Sequence, residues 1–341
     1  MDAVILAGGR GTRLRPLTDT RPKPLIPFMA EPFVIGLLRQ LVQAGVDQAT
    51  ILVGSDASAW QPLVKAGASL GAQVRIQTER TPLDTAGACR QLFNSMSGTG
   101  RTGPVLVCNG DILTDLDYAA LVRQHREAKA VATIHLVPVP DTSSFGVAVC
   151  DAEDRVTRFV EKPPPGTLAA NTINGGTYVL DPSVFSEFPG DGPLSFERAV
   201  FPGLVDAGEL VLGVEARGYW QDLGTPRRYL DGHRAVLEGR CAWPLTPGLR
   251  IFEATLVAIH ESARVSSSAT LGPMAVVGAG CMIGPGARIV DSVLHDRVNV
   301  GGGACISGGI LGERVQIAAR AVLVPGAVLR DHSVVTRVYG R

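Results

Sequence analysis

The chain has no excess of either charge: 32 Lys and Arg stand against 32 Asp and Glu, a formal net charge of zero over 341 residues. Acids and bases are interspersed, so the balance gives no sign of a nucleic-acid or membrane-surface partner. No apolar run reaches the length of a membrane span. Met1-Asp2 leads straight into a first apolar run, which leaves no room for a signal peptide. A soluble cytoplasmic protein is the expectation. The six cysteines, at 89, 108, 150, 241, 281 and 305, lack Cys-x-x-Cys or Cys/His ligand spacing. They are expected to be reduced, mostly buried thiols rather than a zinc site or a disulfide framework. Two common nucleotide motifs are missing as well: there is no Gly-Lys-Ser/Thr of a P-loop and no Gly-x-Gly-x-x-Gly of a dinucleotide fold.

What is present begins with a glycine cluster. Residues 6–15 read Leu-Ala-Gly-Gly-Arg-Gly-Thr-Arg-Leu-Arg, after the apolar run Ala3-Val4-Ile5-Leu6 and shortly before Pro22-Lys23-Pro24. Gly8, Gly9 and Gly11 let the backbone approach a polyphosphate and aim successive N–H groups at its oxygens, while Arg13, Arg15 and Lys23 supply mobile positive charge. The pattern reads as a phosphate-handling loop.

Up to about residue 110, strand-like and helix-like runs alternate: Ala3–Leu6, Pro32–Ala44, Ala49–Val53, Gln73–Gln77, Thr85–Met96 and Val105–Cys108. Such alternation predicts a mainly parallel α/β sheet, in which ligands sit past the carboxyl ends of the strands, where the glycine loop and Asp111 fall. From 131 to 216 the pattern is strand-rich, with one helix-like run after Ser195, and Thr225-Pro226 starts a helix to Leu237. A different grammar follows. Aliphatic residues return every six positions at Ile259, Val265, Leu271, Val277, Ile283 and Ile289, and after one-residue slips at Val300, Ile306, Leu311, Ile317, Leu323, Leu329 and Val335. A helix needs returns near every three or four residues and seldom tolerates this much Gly and Pro. A period of six suits a solenoid whose short flat faces each point one aliphatic side chain inward, three faces closing a coil of about eighteen residues.

The glycine loop resembles the signature of the sugar-1-phosphate nucleotidylyltransferases, or NDP-sugar pyrophosphorylases. Four further segments, in the family's order, extend the resemblance to about residue 240: Cys108-Asn109-Gly110-Asp111, Phe159-Val160-Glu161-Lys162-Pro163, Ile173-Asn174-Gly175-Gly176 and Gly218 to Pro226. The repeats resemble hexapeptide-repeat left-handed β-helices, and the handedness comes from that likeness. The implied fold is an α/β, Rossmann-like mixed-sheet nucleotidyltransferase domain over 1–238, a linker over 239–258 and a left-handed parallel β-helix over 259–341.

The resemblance implies that NTP and a sugar 1-phosphate give NDP-sugar and pyrophosphate. Every reacting party is anionic, so positioning and charge neutralisation carry such a reaction and no protein nucleophile is required. By the likeness, Arg13 binds the β- and γ-phosphates, Lys23 lies by the α-phosphate and Lys162 binds the phosphate of the sugar. Asp111 and Asp222 share one Mg²⁺, which favours a few carboxylates plus phosphate oxygens and water. The nucleotide is expected on Leu6, Ala7, Gly8, Gly9, Gly11, Thr12 and the segment from Glu79 through Arg80 to Thr85 and Gly87. The sugar is expected on Gly146, Glu161, Asn174, Gly175 and Glu197, although an acid placed like Glu197 also answers a helix dipole.

Domain order and motif style are most like mannose-1-phosphate guanylyltransferases. Asp84, however, stands where those enzymes tend to have the first Gly of Gly-Thr-Ala-Gly, which leaves the base open among guanine, thymine, uracil and adenine. Two other classes compete: a solenoid that transfers acyl groups, with His260, His295 and His332 as candidate bases although each fits a solvated loop position equally well, and a non-catalytic nucleotide-sugar-binding subunit. The presence of Arg13, Lys23, Asp111, Lys162 and Asp222 speaks against the latter. An open coil end also predicts a homo-oligomer.

Overall fold

The computed structural model describes every residue except Arg10, Ser55, Arg80, residues 97–102, Pro165, Ala169, Gly340 and Arg341, and the side chains of Met96 and Tyr339 are likewise outside it. The chain divides into two compact units, one of Met1–Gly9, Leu38–Ile112 and Leu116–Trp220, the other of Arg10–Leu37, Leu113–Asp115 and Gln221–Arg341.

A mixed sheet organises the first unit. Strand Asp2–Leu6 lies between parallel neighbours Gln48–Val53 and Val105–Asn109, and Gln73–Thr78 extends the parallel side. Direction reverses at Thr172–Leu180, antiparallel to Val105–Asn109, and Ala132–Pro138 and Gly146–Cys150 pair with it in turn. Val156–Glu161 and Val211–Glu215 complete the sheet. The central strands are continuous apolar runs because both faces are covered: Val4, Ile5, Val107, Ile134 and Tyr178 are all buried.

Helix α1 (Phe33–Gln43) buries Val34, Leu37, Leu38 and Leu41 along one stripe and stops at Gly45, which takes the left-handed conformation. Helices α2 (Gln61–Leu70) and α4 (Tyr118–Ala128) were not among the expected elements, whereas α3 (Asp84–Met96) was. The run after Ser195 is a wide helical turn, Phe196–Val200, continuing into α5 (Phe201–Asp206). Helix α6 (Pro226–Leu237) starts as expected, with Thr225 accepting from the Arg228 amide.

In the second unit the six-residue period becomes a parallel β-helix. Its three faces carry the strands Val257–His260, Arg264–Val265 and Thr270–Leu271 in the first coil, and each stacks in parallel on its counterpart in the next. Val277, Ile283, Ile289, Val300, Ile306, Leu311, Ile317, Leu323, Leu329 and Val335 point into one dry core, joined by Leu294. Leu294 explains the slips. On its face the partners run Ile259, Val277, Leu294, Leu311, Leu329, so the outer coils take eighteen residues and the middle ones seventeen. The missing residues fall at the corners that hold Asp291 and Gly308.

Residues 239–258 are packed. Cys241, Trp243 and Leu249 are buried, Trp243 stacks on Phe33 with centroids 4.9 Å apart, and Leu249–Phe252 pairs antiparallel with Val257–His260. His295 departs from the solvated position expected of it. It is buried against Tyr229, and burial pushes its imidazole down to about 3, so it is neutral and inaccessible. His332 is exposed, as expected. Cysteines 89, 108, 241 and 281 are buried free thiols, and Cys305 is an exposed one. Among the described residues, no helix is long and apolar enough to cross a membrane.

Candidate active site

Within the first unit, the glycine loop leaves the end of strand Asp2–Leu6 between two parallel neighbours. The Ala7 amide donates to Leu52 O at 2.9 Å and Leu6 O accepts from the Gly110 amide at 2.9 Å, so the loop and the Asn109–Asp111 turn emerge side by side. Gly8 and Gly9 are exposed and Asp111 is half-buried. A Cβ on Gly8 would lie 3.3 Å from Glu79 Oε1, and Glu79 Oε2 accepts from the Leu83 amide at 3.0 Å. Glu79 thereby holds the loop before α3 while its other carboxylate oxygen lies beside Gly8. Arg80 lies outside the described residues.

Thr85 and Glu197 meet. Thr85 Oγ1 donates to Glu197 Oε2 at 2.9 Å, and Ser195 Oγ donates to the same oxygen at 2.8 Å. Glu197 is therefore bound by two hydroxyls as well as lying in a first helical turn. Gly87 packs closely, its amide donating to Leu194 O at 3.0 Å. Asp84, at φ 60, caps the Thr85 amide and pairs with Arg198. The departure from glycine is accommodated by two ties.

Gly146 and Glu161 are register partners on adjacent antiparallel strands. Lys162 follows at the strand end with φ 48; its side chain is 62% exposed and its Nζ lies 3.3 Å from Glu161 Oε1. Asn174 Nδ2 donates to Tyr178 Oη at 2.8 Å and Asn174 Oδ1 accepts from the Gly176 amide at 2.9 Å, bridging a bulge in the strand. Burial raises the Tyr178 hydroxyl well above its ordinary value, so it stays protonated. Gly175 O accepts from Trp220 Nε1 at 2.8 Å, while a Cβ on Gly175 would come within 2.6 Å of His135 Nδ1. Burial lowers the His135 imidazole to about 4, leaving it neutral.

In the second unit, charge gathers on one carboxylate. Asp222 is buried, with Lys23 Nζ 3.2 Å from its Oδ1, Arg228 Nη1 2.8 Å from its Oδ2, and Arg13 Nη2 3.8 Å from Oδ2. Lys23 is itself buried, whereas Arg13 is 66% exposed and projects from the short turn Thr12–Leu14. Gly11, at φ 60, opens that turn, its carbonyl accepting from Thr18 Oγ1 at 2.9 Å. Three cations around one carboxylate, one of them long and exposed, form a site with positive charge to offer an anionic ligand.

Sequence reasoning missed Arg228 and the close packing at Gly224. Arg228 lies in the first turn of α6, and its charge matters because that helix begins beside Asp222. A Cβ on Gly224 would stand 2.7 Å from Asp222 Oδ1 and 2.8 Å from Arg13 Nη2, so the cluster closes over a residue with no side chain.

Among the described residues, no three His, Cys, Asp or Glu side chains gather as a ready-made metal cage. Asp111, in the first unit, and Asp222, in the second, each offer a carboxylate. Hard oxygens in small number suit a hard divalent cation that completes its shell with phosphate oxygens and water.

Residues 2–239 match the model of the nucleotidyl transferase family, and residues 254–338 match the GMPPB C-terminal domain. The chain belongs to the nucleotidyl transferase family, whose members generally use a divalent metal. It is 36% identical to the mannose-1-phosphate guanylyltransferase of Mycobacterium tuberculosis, over 90% of this chain and 83% of that protein. It is 32% identical to mannose-1-phosphate guanylyltransferase 1 of Arabidopsis thaliana, over 90% of this chain and 84% of that protein. The crystal structure of HddC from Yersinia pseudotuberculosis superposes with a TM-score of 0.57 at 27% identity, covering 68% of this chain and 97% of that one.

Proposed function

We propose that this chain is a mannose-1-phosphate guanylyltransferase, converting GTP and mannose 1-phosphate to GDP-mannose and pyrophosphate. The observation that carries nucleotidyl transfer is the cation cluster of Arg13, Lys23 and Arg228 on Asp222. Choice of base and sugar rests on the relatives, which share the plan of both parts of the chain.

In this reading an oxygen of the sugar phosphate attacks the α-phosphorus, and the bond from that phosphorus to the bridging oxygen breaks as pyrophosphate leaves. The chain supplies charge and placement. Backbone amides at Leu6–Gly9, with Gly11, Thr12, Thr85 and Gly87, hold the nucleotide. Lys23, fixed against Asp222, meets the α-phosphate, and the exposed Arg13 follows the β- and γ-phosphates as they depart. Lys162 draws in the sugar phosphate, while Gly146, Glu161, Asn174, Gly175 and Glu197 satisfy buried hydroxyls. Asp111 and Asp222 would hold Mg²⁺, which when bound neutralises phosphate charge. Residues 1–238 are assigned to catalysis and 259–341 to a β-helix that assembles copies of the chain in the cytoplasm.

A pyrophosphate-release assay over GTP, ATP, UTP and dTTP, crossed with mannose and glucose 1-phosphates, tests the reading. GTP with mannose 1-phosphate should give the highest kcat/KM. Equal or better turnover with another nucleotide overturns the assignment of the base. Light scattering should report a dimer or larger symmetric species, and a monomer at micromolar concentration contradicts the assembly role.

A further inference from the structure

Lys23 stands in a segment that later parts of the chain hold on both sides. Before it, Arg21 Nη2 lies 2.6 Å from Asp331 Oδ2 and 3.3 Å from Glu313 Oε2. Thr20 Oγ1 donates to the same Asp331 oxygen at 2.9 Å, and Asp331 Oδ1 accepts from the Glu313 amide at 2.8 Å. After Lys23, the Pro27 carbonyl accepts from the Tyr229 hydroxyl of α6, whose oxygen lies 3.1 Å from His295 Nε2. Asp331, Glu313 and His295 all belong to the β-helix.

The backbone between these anchors needs holding. In the turn after Lys23, Met29 has φ 49 and Ala30 φ 67, left-handed values at two residues that carry a Cβ. A turn of this kind persists where its surroundings over-determine it. Here the Met29 amide donates to His233 Nε2 at 3.2 Å, and Thr246 Oγ1 donates to Met29 O at 2.6 Å. Lysine has a long side chain with many rotamers, so keeping Nζ at 3.2 Å from Asp222 Oδ1 requires a fixed starting point for that side chain. The Asp331 side chain is only 8% exposed, so its attraction for Arg21 is screened far less than a surface pair.

We propose that the β-helix is a working part of the phosphate site: Asp331, seconded by Glu313, is a positioning residue that fixes Arg21 and, through it, the Lys23 ammonium. The inference deepens the proposed function and rests on the reading of Lys23 as a ligand of the α-phosphate.

The test uses the full-length chain with GTP and mannose 1-phosphate, or the best pair from the substrate panel. Asp331→Asn keeps the size of the side chain and an acceptor for the Glu313 amide but removes the charge facing Arg21. It should raise KM for the nucleotide about fivefold and lower kcat by about three- to tenfold, leaving KM for the sugar phosphate within about twofold. Arg21→Gln should behave alike, and the double variant should be no worse than either single one, because both act through one contact. Asp331→Glu should recover part of the loss. Lys23→Ala, assayed alongside, separates the two readings. If it leaves nucleotide kinetics intact, the phosphate role of Lys23 falls; if it is impaired while Asp331→Asn and Arg21→Gln match the parent, the positioning role falls. Additive losses in the double variant, or a lowered melting temperature with both substrates weakened equally, would also overturn it.

Discussion

Asp222 Oδ1 and Lys23 Nζ meet at 3.2 Å although they stand 199 positions apart in the chain. Arg13 and Arg228 share the other carboxylate oxygen. One acid therefore sets the positions of three cations, and anything that displaces it moves all of them.

Gly224→Ala is the smallest such displacement. Its Cβ would press on both Asp222 Oδ1 and Arg13 Nη2 at under 3 Å, the two partners of one salt bridge. An expected loss of about tenfold or more in kcat, with unchanged circular dichroism, follows from a shift of a few tenths of an ångström in charged groups. Parent-like kinetics in this variant would mean the cluster is slack.

Asp111→Asn and Asp222→Asn should each lower kcat by at least about a hundredfold while the protein stays folded, because a neutral amide binds a hard cation far less well than a carboxylate does. Titration with Mg²⁺ distinguishes a metal role from a purely electrostatic one. If both variants match the parent in activity and in the Mg²⁺ concentration they require, the metal assignment is lost.

Arg13 and Lys162 should fail in different ways. Arg13→Ala removes charge needed as pyrophosphate departs and should depress kcat, whereas Lys162→Ala should chiefly raise KM for the sugar phosphate. Steady-state kinetics with each substrate varied in turn make the comparison. Two indistinguishable profiles would show that this division of roles is wrong.

Acid should destabilise the fold through buried imidazoles. Burial lowers His135 and His233 to about 4 and His295 to about 3. Each is neutral when folded and takes up its proton on unfolding once the pH drops below the ordinary value of about 6.5. The unfolded state then binds more protons, so this stability is complete above about pH 6.5 and is lost as the pH falls toward 4, at up to about 1.4 kcal/mol per pH unit for each group. Melting temperatures from pH 7.5 to 5 should decline less steeply for His295→Gln than for the parent. Parallel curves would exclude His295 as a contributor.

Much of this was legible because local pattern and tertiary role coincide. The apolar runs of the central strands, the stripe of α1, the Thr225 cap and the six-residue aliphatic period each need only short-range information. Helix α4 shows where legibility ended. It has the helical spacing Tyr118, Leu121, Val122, but the next inward position is His125, a polar residue made tolerable by Thr133 Oγ1 at 2.9 Å on a neighbouring strand. Helix α2 buries little besides Leu63 and Gly67, so it offers almost no stripe to read. In the site, motif residues such as Arg13, Lys23 and Asp222 announced themselves. Arg228, Gly224 and Asp331 did not, since their roles exist only once distant segments have packed.

The tie between Arg21 and Asp331 also constrains how the protein is made. The two residues are 310 positions apart, which at about 5–20 residues per second is about 15–60 s of translation. While the ribosome is still adding the last coils, the stretch from Thr20 to Met29 has already left the exit tunnel without its final partners. The nascent chain thus completes the contacts of this early segment last, and a ribosome that stops short of residue 331 releases a protein whose sheet is fully encoded but whose Arg21 lacks Asp331.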